Sequence, residues 1–298
     1  TKNKLGSTEI RSWLVGEVKE HVVRWLHENP DASERLLRKV KANEKVRKEL
    51  AAVKKAARER ARKVAIRIPK LIDCKVHLSD RKPARKKDRR EESTIFLTEG
   101  DSAGGAMVQA RDVYTQAIFC LRGKPLNCHG LKRDTVYKNE ELYNIMRALG
   151  IEDDLDGLRY NQVVIATDAD VDGMHIRNLL LTYFLHYFEE LVTRGHLFIL
   201  ETPLFRVRNK KKTIYCYSET ERSAALEELS KPETTRFKGL GEINPKEFKH
   251  FIGDDMRLQQ VTVPDKGTVQ KCLDFYMGKN TPKRRKFITD ELIAEETW

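Results

Sequence analysis

No run of about twenty apolar residues, the length a membrane-crossing helix needs, occurs anywhere in the 298 residues of this chain. Its opening stretch, TKNKLGSTEI, lacks the apolar core of a secretory signal. Both absences argue against a bilayer-spanning or exported protein, so the expected location is the cytoplasm. Cysteine is scarce: Cys74, Cys120, Cys128, Cys216 and Cys272 are odd in number and scattered, and no C-x-x-C pair occurs. A disulfide framework and a zinc site are both excluded on that pattern. No internal repeat is visible, which excludes a stacked-repeat array.

Negative charge is also in short supply. Against 57 Lys and Arg stand 45 Asp and Glu, for a net charge of +12. A surface of that sign gains from releasing the counterions condensed on a polyanion, so nucleic acid is the expected partner. With 40% apolar and 34% charged residues, the composition is that of a globular chain, long enough for one large or two ordinary domains.

From Ser7 to Glu28 the apolar residues Ile10, Trp13, Leu14, Val18, Val22, Trp25 and Leu26 recur every three or four positions. That spacing predicts an amphipathic helix, ended by Asn29-Pro30. Asp31, with Glu34 three positions on, reads as the start of a second helix. Leu36, Val40, Val46, Leu50, Val53 and Ala57 stripe one side of it. Lys and Arg fill the rest, so it is predicted as a strut or connector of about thirty residues, roughly 45 Å long. Residues 80–93, DRKPARKKDRREES, are too charged to build a core and read as an exposed linker or phosphate-touching loop.

Beyond the linker the pattern changes. The runs 94–98 (TIFLT), 117–121 (AIFCL), 162–167 (QVVIAT) and 196–201 (HLFILE) are apolar without polar alternation. Such runs, alternating with helical stretches, predict a parallel sheet covered on both faces, an α/β architecture. A helix over 175–194 follows the third strand, a hairpin is expected around 208–217 and a helix over 220–229. The predicted divisions are 1–90, a connector and basic linker; 91–205, the α/β domain; and 206–298, a mixed completion and basic tail.

The most informative stretch is ATDADVDGMHIRNLL, residues 166–180, with aspartates at 168, 170 and 172. Carboxylates this close repel by roughly 1 kcal/mol per pair at 4 Å in water, and by more where water is excluded, so a cation is expected to hold them. Ligands of open parallel sheets gather at the carboxyl ends of the strands. Glu99 closes one strand and Asp168 another, so adjacent strands would bring Glu99, Asp168, Asp170 and Asp172 to one edge. Mg²⁺ suits such oxygen donors. A calcium loop of the D-x-D-x-D-G type requires a glutamate at its twelfth position, where Leu179 stands. Asp172, directly before Gly173, is the aspartate best placed to cap the helix start instead. In EGDSAGG, residues 99–105, small residues would let backbone approach a phosphate at a helix N-terminus.

Taken together, TEGDSAGG (98–105), TDADVDGMHIR (167–177), CLRGKPLN (120–127) and RFKGLGEINP (236–245) resemble the TOPRIM region of bacterial type IIA topoisomerase B subunits, the group that comprises gyrase B and its topoisomerase IV counterpart. The likeness covers nearly the whole chain. It implies a TOPRIM Rossmann-like parallel sheet with flanking helices, preceded by the end of a transducer and a long helical connector and followed by a mixed α+β tail. TKNKLG resembles the end of the family's Q-T-K loop, which makes Lys2 an ATP-contacting lysine stranded from an upstream ATPase domain.

By this resemblance Glu99, Asp168 and Asp170 would bind metal, two Mg²⁺ ions being expected, with Asp172 as an outer or second-site ligand. Glu99 would also serve as general acid and base. Lys124 and Lys238 would contact DNA phosphates, Arg122 would do so or serve as an ordinary surface cation, and His175 would donate to a phosphate or bond to a carboxylate and order the turn. The nucleophile would be a tyrosine of an A subunit, in an A2B2 holoenzyme acting on double-stranded DNA, and the nine tyrosines here would be bystanders. ATP would bind only outside this stretch, and the stretch alone would bind DNA and metal without cutting. CLRGKPLN departs from the family's P-L-K-G-K-I-L-N, which unsettles inhibitor sensitivity. The short spacing from the acidic motif to RFKGLGE leaves no room for the insertion of some gyrases, which favours topoisomerase IV. The competing expectations are a TOPRIM nuclease or primase using the same acids, and a DNA-binding scaffold that holds no metal.

Overall fold

A computed structural model describes residues 8–41, 44, 68–81, 88–152, 154–253, 255–263 and 266–291. The chain divides into two compact units, Thr1–Ile66 and Arg67–Trp298. In the first, α1 spans Thr8–Glu28 and α2 covers 30–41, divided at Asn29 as the Asn-Pro signal predicts. The apolar stripe of α1 is there, with Trp13 65% and Trp25 53% exposed. The remainder of the predicted second helix, beyond residue 44, lies outside the described residues, as does Lys2.

The second unit is built on a six-stranded sheet. Its four central strands are β2 (Thr94–Glu99), β3 (Gln116–Leu121), β4 (Gln162–Ala166) and β5 (Leu197–Leu200), all parallel. Two short antiparallel strands close the edges, β1 (Leu71–Ile72) on β3 and β9 (Leu258–Gln260) on β5. The order across the sheet is β1-β3-β2-β4-β5-β9. Side chains alternate along β2: Ile95 and Leu97 enter one core with Leu142, Ile145 and Met146 of α5 (Glu140–Leu149) and Leu180, Tyr183 and Phe184 of α6 (Val171–Tyr187). Phe96 enters the other with Met107 of α3 (Gly100–Ala110), Leu240, and Phe248 and Phe251 of α9 (Pro245–Phe251). Burial on both faces is why these strands read as unbroken apolar runs. Each fully buried large side chain stabilises the fold by roughly 1.5–3 kcal/mol.

Between these elements lie α4 (Arg133–Tyr137) and α7 (Glu189–Thr193). The single helix predicted over 175–194 is two: α6 starts at Val171 and ends at Tyr187, and α7 restarts after Phe188, whose backbone leaves the helical region. The predicted hairpin is β6 (Phe205–Arg208) with β7 (Thr213–Cys216). With β8 (Glu233–Arg236) they make a separate three-stranded sheet that packs on α8 (Glu219–Glu228) through Phe205, Val207, Ala225 and Leu229. Helices α10 (Lys266–Tyr276) and α11 (Thr281–Asp290) follow. No helix among the described residues is long and apolar enough to cross a membrane.

Candidate functional site

The parallel register of β2 and β4 pairs Thr98 with Ala166, so both strands end at the same level of the sheet. Glu99 closes β2, and Asp168 follows β4 by two residues. The backbone N–H of Asp168 donates to the Glu99 carboxylate. Burial, then the charges of Asp168 and Asp170, raise the proton affinity of Glu99, with Asp172 adding to it. Asp168 is raised too, by burial first and then by Asp170 and Glu242, against a hydrogen bond from Leu240. The four acids thus share one electrostatic environment at one sheet edge.

Each aspartate is anchored by a different donor. Asp168 Oδ1 accepts from the Leu240 backbone N at 2.7 Å. Asp170 Oδ1 accepts from the Gly173 N at 2.8 Å and caps α6. Asp172 pairs with Lys124 Nζ at 2.6 Å, which holds its carboxyl below the ordinary range, with His175 adding to the effect. The helix cap is therefore Asp170 and not Asp172, which lies inside the first turn of α6 where its side chain reaches outward. No three of these four acids bring oxygens within 4.8 Å of one another, among the described residues. Mutual repulsion and separate anchors account for the spread.

One atom stands out. Glu99 Oε2 is buried and has no hydrogen-bond partner. A buried carboxylate oxygen without a donor is costly, and Glu99, Asp168 and Asp170 have no ion-pair partner among the described residues. Three hard oxygen donors lacking a counter-cation are a donor set that suits Mg²⁺.

The basic residues lie around this edge. Arg122 and Lys124 are exposed on the turn after β3. Glu141 of α5 fixes that turn: its Oε1 accepts both the Arg122 backbone N and Lys70 Nζ, each at 2.7 Å. Lys238 is exposed, and its backbone N donates to Glu242 at 3.0 Å. His175 is exposed on α6. Arg177, one turn beyond Gly173, is half-buried beside Thr167, and its Nε has no partner. Sequence reading missed Glu141, Leu240, Glu242 and Arg177. Leu240 and Glu242 lie within RFKGLGEINP and Arg177 ends TDADVDGMHIR, where it is a cation interrupting the apolar face of a helix; Glu141 has no such signal.

One glycine of EGDSAGG has a packing role. In α3 a Cβ on Gly104 would sit 2.2 Å from Cys120 Sγ, so this glycine serves helix-on-sheet packing. A second cluster, Asp73, Cys74 and His77, has closer atoms, but it is not a cation cradle. Asp73 already binds the Arg159 guanidinium, His77 Nε2 at 2.9 Å and the Tyr160 hydroxyl at 2.6 Å. Burial pushes the Cys74 thiol up to about 12, which disfavours the thiolate a metal needs.

Residues 94–202 match the Toprim domain family, residues 1–57 the DNA gyrase B family and residues 230–289 the carboxyl terminus of the DNA gyrase B subunit. The chain is 55% identical over 295 residues to the B subunit of DNA topoisomerase 4 from Borreliella burgdorferi, covering 98% of this chain and 48% of that protein. It is 36% identical over 294 residues to the B subunit of DNA gyrase from Archaeoglobus fulgidus, covering 97% and 45%. The chain spans about half the length of these relatives. The Plasmodium falciparum topoisomerase II DNA-binding, cleavage and re-ligation domain superposes with a TM-score of 0.62 at 27% identity, over 76% of this chain and 32% of that one.

Proposed function

Since the chain belongs to the B-subunit family of type II DNA topoisomerases, we propose that its acidic edge binds Mg²⁺ and supports reversible cleavage of duplex DNA by a tyrosine from an A-subunit partner. The observation that carries this reading is the buried, partnerless Oε2 of Glu99 at an edge shared with Asp168, Asp170 and Asp172. Glu99, Asp168 and Asp170 would hold the ion, and Asp172 a second one. Bound there, Mg²⁺ supplies positive charge to the scissile phosphate and the leaving oxygen.

The chain's own residues do the rest. While no cation sits beside it, burial and neighbouring charge favour a proton on Glu99, which suits it to take and return the proton of a sugar hydroxyl. Lys124 can exchange Asp172 for a phosphate, since both side chains are exposed, 47% and 62%. Arg122, Lys238 and His175 add positive charge around the same edge. The partner set follows from this role: an A subunit, duplex DNA, an A2B2 assembly, and ATP bound outside this stretch. The cell compartment is that of the DNA, the bacterial cytoplasm. The higher identity to a topoisomerase 4 chain favours topoisomerase IV over gyrase.

Calorimetric titration of Mg²⁺ into the parent chain and an Asp168→Ala, Asp170→Ala variant tests the site. Equal heats in both would remove it. In the assembled enzyme, Glu99→Gln is expected to abolish cleavage while DNA affinity stays within a few-fold, because the lost charge acts mainly in the transition state. Cleavage at the parental rate would sink the assignment.

A further inference from the structure

Asp168 is gripped from two sides. A Cβ on Gly173 would lie 2.2 Å from the Asp168 carbonyl oxygen, and a Cβ on Gly239 would lie 2.5 Å from its Oδ2. Neither position has room for a side chain. The Gly239 side belongs to a turn far along the chain, Lys238–Glu242, which hands the Leu240 amide to Asp168 Oδ1 at 2.7 Å.

That turn is itself braced. Leu240 is buried in the second core, and the turn packs along α3 immediately after Glu99. Glu242 closes it by accepting the Lys238 backbone N at 3.0 Å, while its own N donates to the Gly239 carbonyl at 3.2 Å. Gly241, two residues from Gly239, is different: a Cβ there would meet Ser102 Cβ at 3.5 Å, an ordinary contact.

We propose that the turn Lys238–Glu242 is the positioning element for Asp168. The Leu240 amide sets the orientation of the carboxylate, Gly239 leaves the space it occupies, and Glu242 holds the turn closed. The consequence is a coupling: Lys238, at the head of the turn, and Asp168 share one rigid unit, so contact of this lysine with a phosphate and binding of a cation by Asp168 favour the same conformation. This rests on the reading of the acidic edge as a metal site.

The test uses the full B-subunit chain and two readouts, amide hydrogen exchange at Leu240 without metal and Mg²⁺ affinity by calorimetry. Asp168→Ala should speed exchange at Leu240. Gly239→Ala should speed that exchange and weaken Mg²⁺ by about 10-fold or more, the size of effect that groups orienting a ligand have on metal affinity. Gly241→Ala should leave both within about twofold. Should Gly239→Ala not fold, Glu242→Ala opens the turn without a clash and is expected to shift both readouts the same way. Parental Mg²⁺ affinity in a folded Gly239→Ala or Glu242→Ala chain overturns the proposal. If the parent chain binds no Mg²⁺, the metal reading fails, and the exchange arm still judges the clasp: unaltered exchange in Asp168→Ala overturns it, and faster exchange supports it.

Discussion

Glu141→Ala isolates how the basic turn after β3 is held. One carboxylate oxygen carries both the Lys70 ammonium and the Arg122 backbone amide, each at 2.7 Å, with the Lys70 and Glu141 side chains only 16% and 15% exposed. Deleting it removes a charge-assisted hydrogen bond to an amide, worth about 1.5–3 kcal/mol. It also leaves the partly buried Lys70 ammonium without its carboxylate, which costs less than the about 3–5 kcal/mol of breaking a fully buried pair. The two losses overlap, because one oxygen serves both donors, so the expected destabilisation is about 2–3 kcal/mol, a sizeable part of a typical stability of about 5–15 kcal/mol. Urea unfolding should show a lower midpoint at unchanged slope. A Lys70→Met, Glu141→Leu double variant should recover most of the loss, since an apolar replacement leaves no orphaned charge. A cost below about 1 kcal/mol for Glu141→Ala would show that water or another acceptor already serves Lys70, and the argument for a rigid turn would fail.

Other perturbations probe different parts of the molecule. Asp73→Asn removes the negative charge, and one of the two accepting oxygens, that Arg159, His77 and Tyr160 share. Burial opposes the charge on Asp73, but these partners outweigh it and hold its carboxyl well below the ordinary range. Its stabilisation is therefore full above the unfolded value near 3.9 and lost as pH falls towards the folded one. With the side chain 36% exposed, about 1–2 kcal/mol is expected, so the parent's melting-temperature advantage over the variant should shrink below about pH 4 and an advantage independent of pH would refute the pairing. Lys124→Gln should weaken DNA binding by the assembled enzyme and lower the slope of log affinity against log salt by about one; an unchanged slope would mean that Lys124 never leaves Asp172 for a phosphate. Phe96→Ala, at a fully buried site on β2, should cost about 3–5 kcal/mol in chemical unfolding, and a much smaller loss would mean that the second core collapses to fill the gap.

The central strands were legible because burial on both faces leaves no alternation to confuse them: TIFLT, AIFCL and QVVIAT each fall within a residue of β2, β3 and β4. The edge strands were not. The LI of β1 is too short to stand out and the LQQ of β9 is both too short and too polar, and their pairing is set by what lies beside them in space. The convergence of Glu99 with the aspartates was readable from strand ends, since both follow apolar runs in the same direction. Which aspartate caps α6 was not, because Asp170 and Asp172 offer the same chemistry and only the path of the backbone decides. The anchors of the edge were out of reach altogether. A backbone amide such as that of Leu240 has no residue-type signature, and Glu141 looks like any first-turn helix glutamate.

The β9 strand has a consequence for biosynthesis. Four parallel strands have been synthesised by residue 200, yet one face of them, covered until then by α3 alone, is completed only when 237–252 arrive, and the β5 edge is paired only at 258–260. A nascent chain paused between those points would carry a partly bare apolar surface beside an open strand edge, a state prone to sticking to its neighbours. Completion of this domain on the ribosome thus waits for some of its last-made residues, and slow translation across that interval should raise its demand for chaperones.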